Sequence, residues 1–249
     1  MTSNMTAPAT SGSTQLTTPP GTRPRPLAAS MDVLKAWLGP LDGLHILDAG
    51  CGGGALAGAL TKCGAVVTGI DPQEQAVEAA RQRVPQASFE QAGAEDMPFP
   101  EKSFDAVVLL NSFHHVPLPL MRAALRESVR VSRGPVLIIE PLAEGPFFLC
   151  MQPIEDETEI RAAAQDTLTQ AAASGDIQIS ATGEYDDARR FRDVDAFLAR
   201  VVEVDPARAD MARRARDTVA ALMDRHATRE GDKLALPQPH RAHLLTGID

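Results

Sequence analysis

Four glycines in five positions, Gly50, Gly52, Gly53 and Gly54, follow an acid, Asp48, at the end of an apolar run in LHILDAGCGGG (44–54). Glycine turns the chain sharply and lets a ligand approach the backbone without meeting a Cβ. Two ligand classes use such a loop. Gly50, Gly52 and Ala55 satisfy the dinucleotide fingerprint GxGxxG/A, with Asp71 close to the expected spacing of about 20 residues. Asp48 separates the two, because its carboxylate repels a pyrophosphate and suits a ligand that presents an ammonium group. A second group with chemical potential is Asn111, Ser112, Phe113, His114 and His115. An imidazole titrating near 6.5 is the natural base for an acceptor hydroxyl or thiol, with His115 first and His114 second. The rival reading is that the two histidines only order their loop.

These residues need a sheet to bring them together. Leu44–Asp48 reads as a buried strand, Ala55–Lys62 as a helix and Ala65–Ile70 as a second strand ending at Asp71, a β-α-β unit with a right-handed crossover. At that strand end Asp71 either accepts hydrogen bonds from two ribose hydroxyls or caps the helix over 73–83. ASFEQ (87–91) is a third strand, and FDAVVLL (104–110) has the continuous apolar run of a central parallel strand. Its end delivers 111–115 to the edge where open α/β sheets bind ligands. A helix over 117–131 leads to VLIIE (136–140), whose Glu140 either points into the site or is held by loop amides.

The run ILDAGCGGGALAGALTKCGAVVTGIDP (46–72) resembles the class I methyltransferases that use S-adenosyl-L-methionine (SAM), and most of all the branch containing the ubiquinone-biosynthesis O-methyltransferases. AGAEDMPFPEKSFDAVVLLNSFHHVP (92–117) resembles the same superfamily. The resemblance implies a Rossmann-like, doubly wound, mostly parallel seven-stranded α/β sheet with helices on both faces and an antiparallel last strand. It implies SAM as cofactor, bound by Asp48, Gly50, Cys51, Gly52, Gly54, Asp71, Pro72, Ala94, Glu95 and Asn111, with 94–96 facing the adenine. An Asp common in the family at the position of Gly93 is absent. NSFH also replaces the N/D-P-P-Y/F motif of enzymes that methylate nucleobase or amide nitrogens, which argues against those substrates. The expected activity is methyl transfer to a small molecule, with oxygen favoured. A nicotinamide-dependent oxidoreductase and a non-catalytic SAM-binding scaffold are the alternatives.

The chain has 249 residues, 44% of them hydrophobic, enough for one sizeable α/β domain. Residues 1–26, rich in Thr, Ser, Pro, Ala and Gly, read as a disordered tail without a signal peptide, and 27–249 as a single domain with a helical substrate-side insertion over 141–230. A net charge of −9 disfavours a nucleic-acid partner, and no run reaches the ~20 apolar residues of a membrane helix. Three cysteines without a CxxC pair fit a reducing cytoplasm. Partnership is expected with a small-molecule acceptor, and a homodimer is left open.

No metal is expected. Glu155, Asp156, Glu157 and Glu159 read as the first turn of a helix over 155–173, where the dipole favours acids, and His240 and His243 fall on opposite faces of the last strand. The acceptor region is sought in the helix over 27–38, ahead of the glycine loop, and in 141–192, with Phe147, Phe148, Tyr185 and Phe191 as candidate walls and Arg189, Arg190 and Arg192 as candidate anion partners.

Overall fold

In the computed structural model, which describes residues 16–246, the apolar runs read from the sequence build one sheet. β1 (His45–Ala49) lies between β2 (Val66–Asp71) and β4 (Ala106–Leu110). β3 (Ser88–Gln91) flanks β2 and β5 (Val136–Pro141) flanks β4, all parallel. Alternation along the strands divides their side chains between two cores. Ile46, Val108 and Ile139 pack with α1 (Ser30–Leu38), α2 (Ala55–Thr61) and α3 (Glu74–Arg83) on one face. Leu47, Leu109 and Ile138 pack with α4 (Met121–Val131) and α6 (Thr158–Ala173) on the other. Every residue of β5 is buried, as a parallel strand covered on both faces must be.

Beyond β5 the sheet turns antiparallel. β8 (Lys233–Thr246) pairs with β5, and β6 (Gln178–Phe191) pairs with β8, giving the order β3-β2-β1-β4-β5-β8-β6. The expected seven strands are joined by a three-residue β7 (Thr228–Glu230) against β8. β5 stops at Pro141, opposite His240, yet β6 and β8 stay paired as far as Phe191 and Leu234. This pair therefore overshoots the ligand edge and forms a wall above it. One face of the overshoot carries Tyr185, Asp187, Arg189 and Phe191 beside His240, Gln238, Leu236 and Leu234. α5 (Gly145–Met151), α7 (Val194–Val204) and α8 (Ala209–His226) close over it through a third core containing Cys150, Phe191, Phe197, Val201, Val219 and Leu236.

Three local features lie outside the periodic pattern. Gln178–Phe191 form one long strand with an irregularity between Ile179 and Ala181. The short helix α5, with Pro146 in its first turn, has too few residues for a visible periodicity. Residues 1–15 lie outside the described residues, but 16–26 are not loose as composition suggested. Thr18 exchanges backbone hydrogen bonds with Glu184 (2.9 and 2.7 Å), and Asp186 donates its amide to Pro26 (2.9 Å). Arg25, its side chain 5% exposed, donates Nε–H to buried Glu184 at 2.7 Å and also reaches Glu144 and Asp186. The glutamates that hold this segment lie more than a hundred residues away, out of reach of any local pattern.

Arg241 also pairs with Glu184, at 2.7 Å, so losing Arg25 weakens the cluster without stripping it. Arg25→Ala is expected to lower unfolding free energy by about 2 kcal/mol, less than the ~3–5 kcal/mol of a fully broken buried pair. Urea denaturation checks this; a loss below about 0.5 kcal/mol would mean the segment is not anchored through this charge.

Candidate active site

The loop after β1 is tied to β2 before any ligand is considered. The Gly50 and Cys51 amides donate to the Ile70 carbonyl at 2.8 and 2.9 Å, and the Gly52 amide donates to Asp71 Oδ2 at 2.9 Å. Gly50 has φ +79°, and a Cβ there would collide with Ser112, whose hydroxyl donates to the Ala49 carbonyl at 2.7 Å. Gly52 has φ +49° and open space where a Cβ would stand. Gly54 immediately precedes α2. Asp71 takes the helix-start reading and adds a second contact: one oxygen accepts the Gly52 amide of the glycine loop, and the other accepts the Gln73 amide at 3.0 Å at the start of α3.

Asp48 is the anomaly. It is 2% exposed, and its Oδ2 has no hydrogen-bond partner. Burial, opposed by the Ala57 amide and reinforced by the nearby Asp71 charge, pushes its carboxyl up to about 7. A buried carboxylate oxygen left without a partner fits a ligand that brings an ammonium group, so the residues here suit SAM. Cys51 is buried, and burial raises its thiol pKa, so it fills space in the loop instead of acting as a nucleophile.

Along the same edge, Pro72 is exposed and its carbonyl accepts Gln91 Nε2–H at 3.0 Å, while Ala94 is buried. The Glu95 carboxylate folds back over Gly93: a Cβ at 93 would lie 2.5 Å from both of its oxygens. An acid from 95 therefore occupies the space next to the position where the family's Asp is missing.

Asn111 stands at the end of β4 with φ +55°, a conformation that side chains other than glycine rarely hold without a reason. Its side-chain amide meets His240 Nε2 at 3.0 Å, and His240 Nδ1 meets the Gln238 carbonyl at 3.0 Å. Burial first, then the Arg189 charge, lowers His240 to about 3. A neutral imidazole has one N–H, so with Nδ1 donating to Gln238 the Asn111 amide must turn its own N–H toward Nε2.

Glu140 resolves toward the loop-holding reading. Its carboxylate accepts the Ser112, Phe113 and His114 amides at 3.1, 2.9 and 3.2 Å and also binds His114 Nδ1. This carboxylate fixes the whole histidine turn. His114 Nε2 lies 4.0 Å from Glu157 Oε2. His115 faces the adjoining cavity, and its ring has no hydrogen-bond partner among the described residues. His115 is exposed as a whole, but partial desolvation at the cavity, then the neighbouring His114, lowers its pKa and favours the neutral ring at pH 7.

Glu157 is the neighbour of the histidines that the sequence hid. α6 begins only at Thr158, so of the four acids Glu159 alone lies in the first turn, and Glu157 turns inward, 3% exposed. Burial pushes its carboxyl up, but Arg161 and then the histidines outweigh that and hold it below its ordinary value. His114, His115 and Glu157 each bring one donor atom within 4.8 Å of the others. Arg161 at 2.6 Å and Arg208 at 3.3 Å already neutralise Glu157, and two guanidiniums beside the donors oppose a dication.

The cavity over this floor has a volume of about 460 Å³. Of the walls sought by sequence, Phe147, Phe191, Arg189 and Arg190 line it. Phe148 and Tyr185 are core residues instead, Tyr185 donating its hydroxyl to Ser30 at 2.8 Å, and Arg192 points outward to Asp193. Asn111 joins the cavity to the glycine-loop edge, while His243, on the other face of β8, meets Thr182 and Gln165.

Residues 46–134 match a family model described as a methyltransferase domain. A ubiquinone biosynthesis O-methyltransferase of Alkalilimnicola ehrlichii is 39% identical over 94 residues, 36% of this chain and 38% of that protein. One from Methylocella silvestris is 40% identical over 81 residues, 31% of this chain and 32% of that protein. The matched region thus spans well under half the length of these curated relatives. Among solved structures, the YcgJ protein of Bacillus subtilis superposes with a TM-score of 0.58 at 19% identity, covering 88% of this chain and 99% of that one. A putative methyltransferase of Bacillus halodurans gives 0.58 at 16% identity, covering 87% and 97%. Among the described residues no helix is long and apolar enough to cross a membrane. Residues 46–134, which hold the glycine loop and the acids of β1 and β2, are thus similar to a methyltransferase domain, and the whole sheet shares its fold with these solved structures.

Proposed function

We propose that this protein transfers a methyl group from SAM to an oxygen of a small-molecule acceptor by direct displacement, with residues 27–249 acting as a single domain and 141–230 forming its acceptor side. The observation that carries the reading is Asp48, a buried carboxylate whose free oxygen needs a cation. The similarity to ubiquinone biosynthesis O-methyltransferases supports oxygen as the acceptor atom. A pyrophosphate-bearing dinucleotide would put negative charge against Asp48, which counts against an oxidoreductase.

SAM, when bound, supplies a methyl group activated by a sulfonium. The chain's part is to bind, align and take a proton. Asp48 receives the ammonium, the backbone at Gly50, Cys51, Gly52 and Gly54 gives room, Asp71 holds the ribose beside Pro72, and Ala94 and Glu95 face the adenine. Asn111 borders cofactor and acceptor. His115 takes the acceptor proton from the cavity side, while His114, clamped by Glu140, keeps the turn in place. Alignment of this kind contributes on the order of 7–11 kcal/mol to a displacement that needs no covalent intermediate.

Methyl-labelled SAM incubated with the protein and a cell extract, then separated into small-molecule, protein and nucleic-acid fractions, tests the reading. Label in the small-molecule fraction supports it, and SAM binding without any transfer favours a scaffold. With that acceptor, His115→Ala is expected to lower kcat by roughly 10²–10⁴-fold while SAM affinity stays within about twofold. The wild-type rate should fall on acidification only below the ordinary imidazole range near 6.5, because the neutral ring is the active form and its pKa is lowered. A rate insensitive to both changes would leave His115 a loop residue.

Asp48 makes a stability prediction of opposite sign. Its carboxyl titrates at about 7 in the fold against 3.8 in an unfolded chain, so the stability it contributes is present below 3.8 and lost as pH rises to about 7. At pH 8 the ionised, unpartnered group costs on the order of 4 kcal/mol. Asp48→Asn should therefore raise the ligand-free melting temperature at pH 8, by roughly 5–10 °C, and remove the further rise that SAM gives the wild type. A lower melting temperature, or an undiminished SAM effect, would contradict this assignment.

A further inference from the structure

Charge is uneven around the cavity. Arg161, Arg189, Arg190, Arg200 and Arg208 line it against one carboxylate, Glu157. Four of these arginines are engaged elsewhere. Arg161 holds Glu157 at 2.6 Å, Arg208 holds Glu155 and Glu157, Arg190 meets Glu230 at 2.7 Å, and Arg200 meets Glu203 at 2.8 Å. Arg189 is different. Its Nη2 reaches Asp187 at 3.1 Å, but its Nε is buried and has no hydrogen-bond partner among the described residues. Buried N–H groups without acceptors are rare in folded proteins, and each calls for an explanation such as a ligand.

Arg189 also stands where an acceptor must lie. It projects from the overshooting face of β6 that carries Phe191 and is paired with the β8 face carrying Gln238 and His240. Its charge helps hold His240 neutral, and His240 contacts Asn111 at the cofactor edge. Phe147, Met151, Phe191, Val201 and Val204 give the same cavity an apolar side. A planar guanidinium with a free N–H beside an apolar wall matches a molecule with an anionic head and a greasy body.

We propose that the methyl acceptor is an amphipathic organic anion, a carboxylate or a phosphate ester, whose charged group is bound by Arg189 and whose apolar body lies against Phe147, Phe191 and Val201. This rests on the methyl-transfer reading for the identity of the ligand as acceptor, but the anion site is testable apart from it.

The probes are 8-anilinonaphthalene-1-sulfonate and its uncharged counterpart N-phenyl-1-naphthylamine, titrated by fluorescence into the full chain with S-adenosylhomocysteine present. Wild type is expected to bind the sulfonate at least tenfold more tightly. Arg189→Met should reduce that preference to within twofold and leave the neutral probe unchanged, and Arg189→Lys should restore part of it. In wild type alone, decanoate or decyl phosphate should displace the sulfonate and decanol should not, and whichever anion competes names the head group. Equal binding of the two probes, a preference that survives Arg189→Met, or displacement by neither anion overturns the proposal. So does an Arg189→Met variant that loses only affinity for S-adenosylhomocysteine, which would assign the guanidinium to the cofactor. Calorimetric titration with SAM separates the two readings: absent SAM binding sinks the methyl-transfer reading, whereas intact SAM binding without anion selectivity sinks only this one.

Discussion

A carboxylate buried without a partner works against the fold that contains it, and Asp48 is in that condition at the centre of the sheet. Burial holds its proton near neutrality, and the adjacent Asp71 raises it further. The arrangement is tolerable because β1, β2, β4 and β5 supply apolar contacts on both faces, and because the Gly50, Cys51 and Gly52 amides already have acceptors in Ile70 or Asp71. The strained part is thus confined to one oxygen. On the proposed reading a ligand ammonium relieves it, and affinity for the ligand and instability of the empty fold then have the same source.

A second buried carboxylate plays the opposite part. Glu140 is fully satisfied by three amides and an imidazole, and it turns the chain after β4 into a rigid floor. Its neighbour along β5, Pro141, marks the end of the parallel sheet, and from there β6 and β8 continue alone to raise the cavity wall. The glycine-loop edge and the cavity beside it are therefore built by different means: the first from strand ends and glycine turns, the second from a strand pair that outlasts its neighbours and three helices packed against it. Asn111 is where the two meet, and its backbone there is left-handed.

This division explains what the sequence disclosed. The cofactor edge is local in sequence: strand, glycine turn, helix and acid follow one another within 45–71, and both periodicity and motif register them. The floor was half visible, since His114 and His115 could be named but Glu140 could not be placed until its amide partners, 26 to 28 residues away, were seen. Glu157 escaped because an acid beside a helix start normally faces water, and its inward turn depends on Arg161 and Arg208 arriving from two helical segments. Arg25 and the overshoot of β6 escaped for the same reason. Their partners are distant in the chain, and no window of local sequence contains them.

The most direct measurement is the proton balance of SAM binding, by calorimetry in buffers of different ionisation enthalpy from pH 6 to 9. If Asp48 is the ammonium partner, binding releases protons at pH 6, the release fades as pH rises through about 7 and gives way to uptake toward pH 9, where the free ligand's amino group has lost its proton, and affinity weakens as the solution is acidified below about 7. SAM binding with no proton release across that range would contradict the account, because the buried carboxylate would then have taken no part.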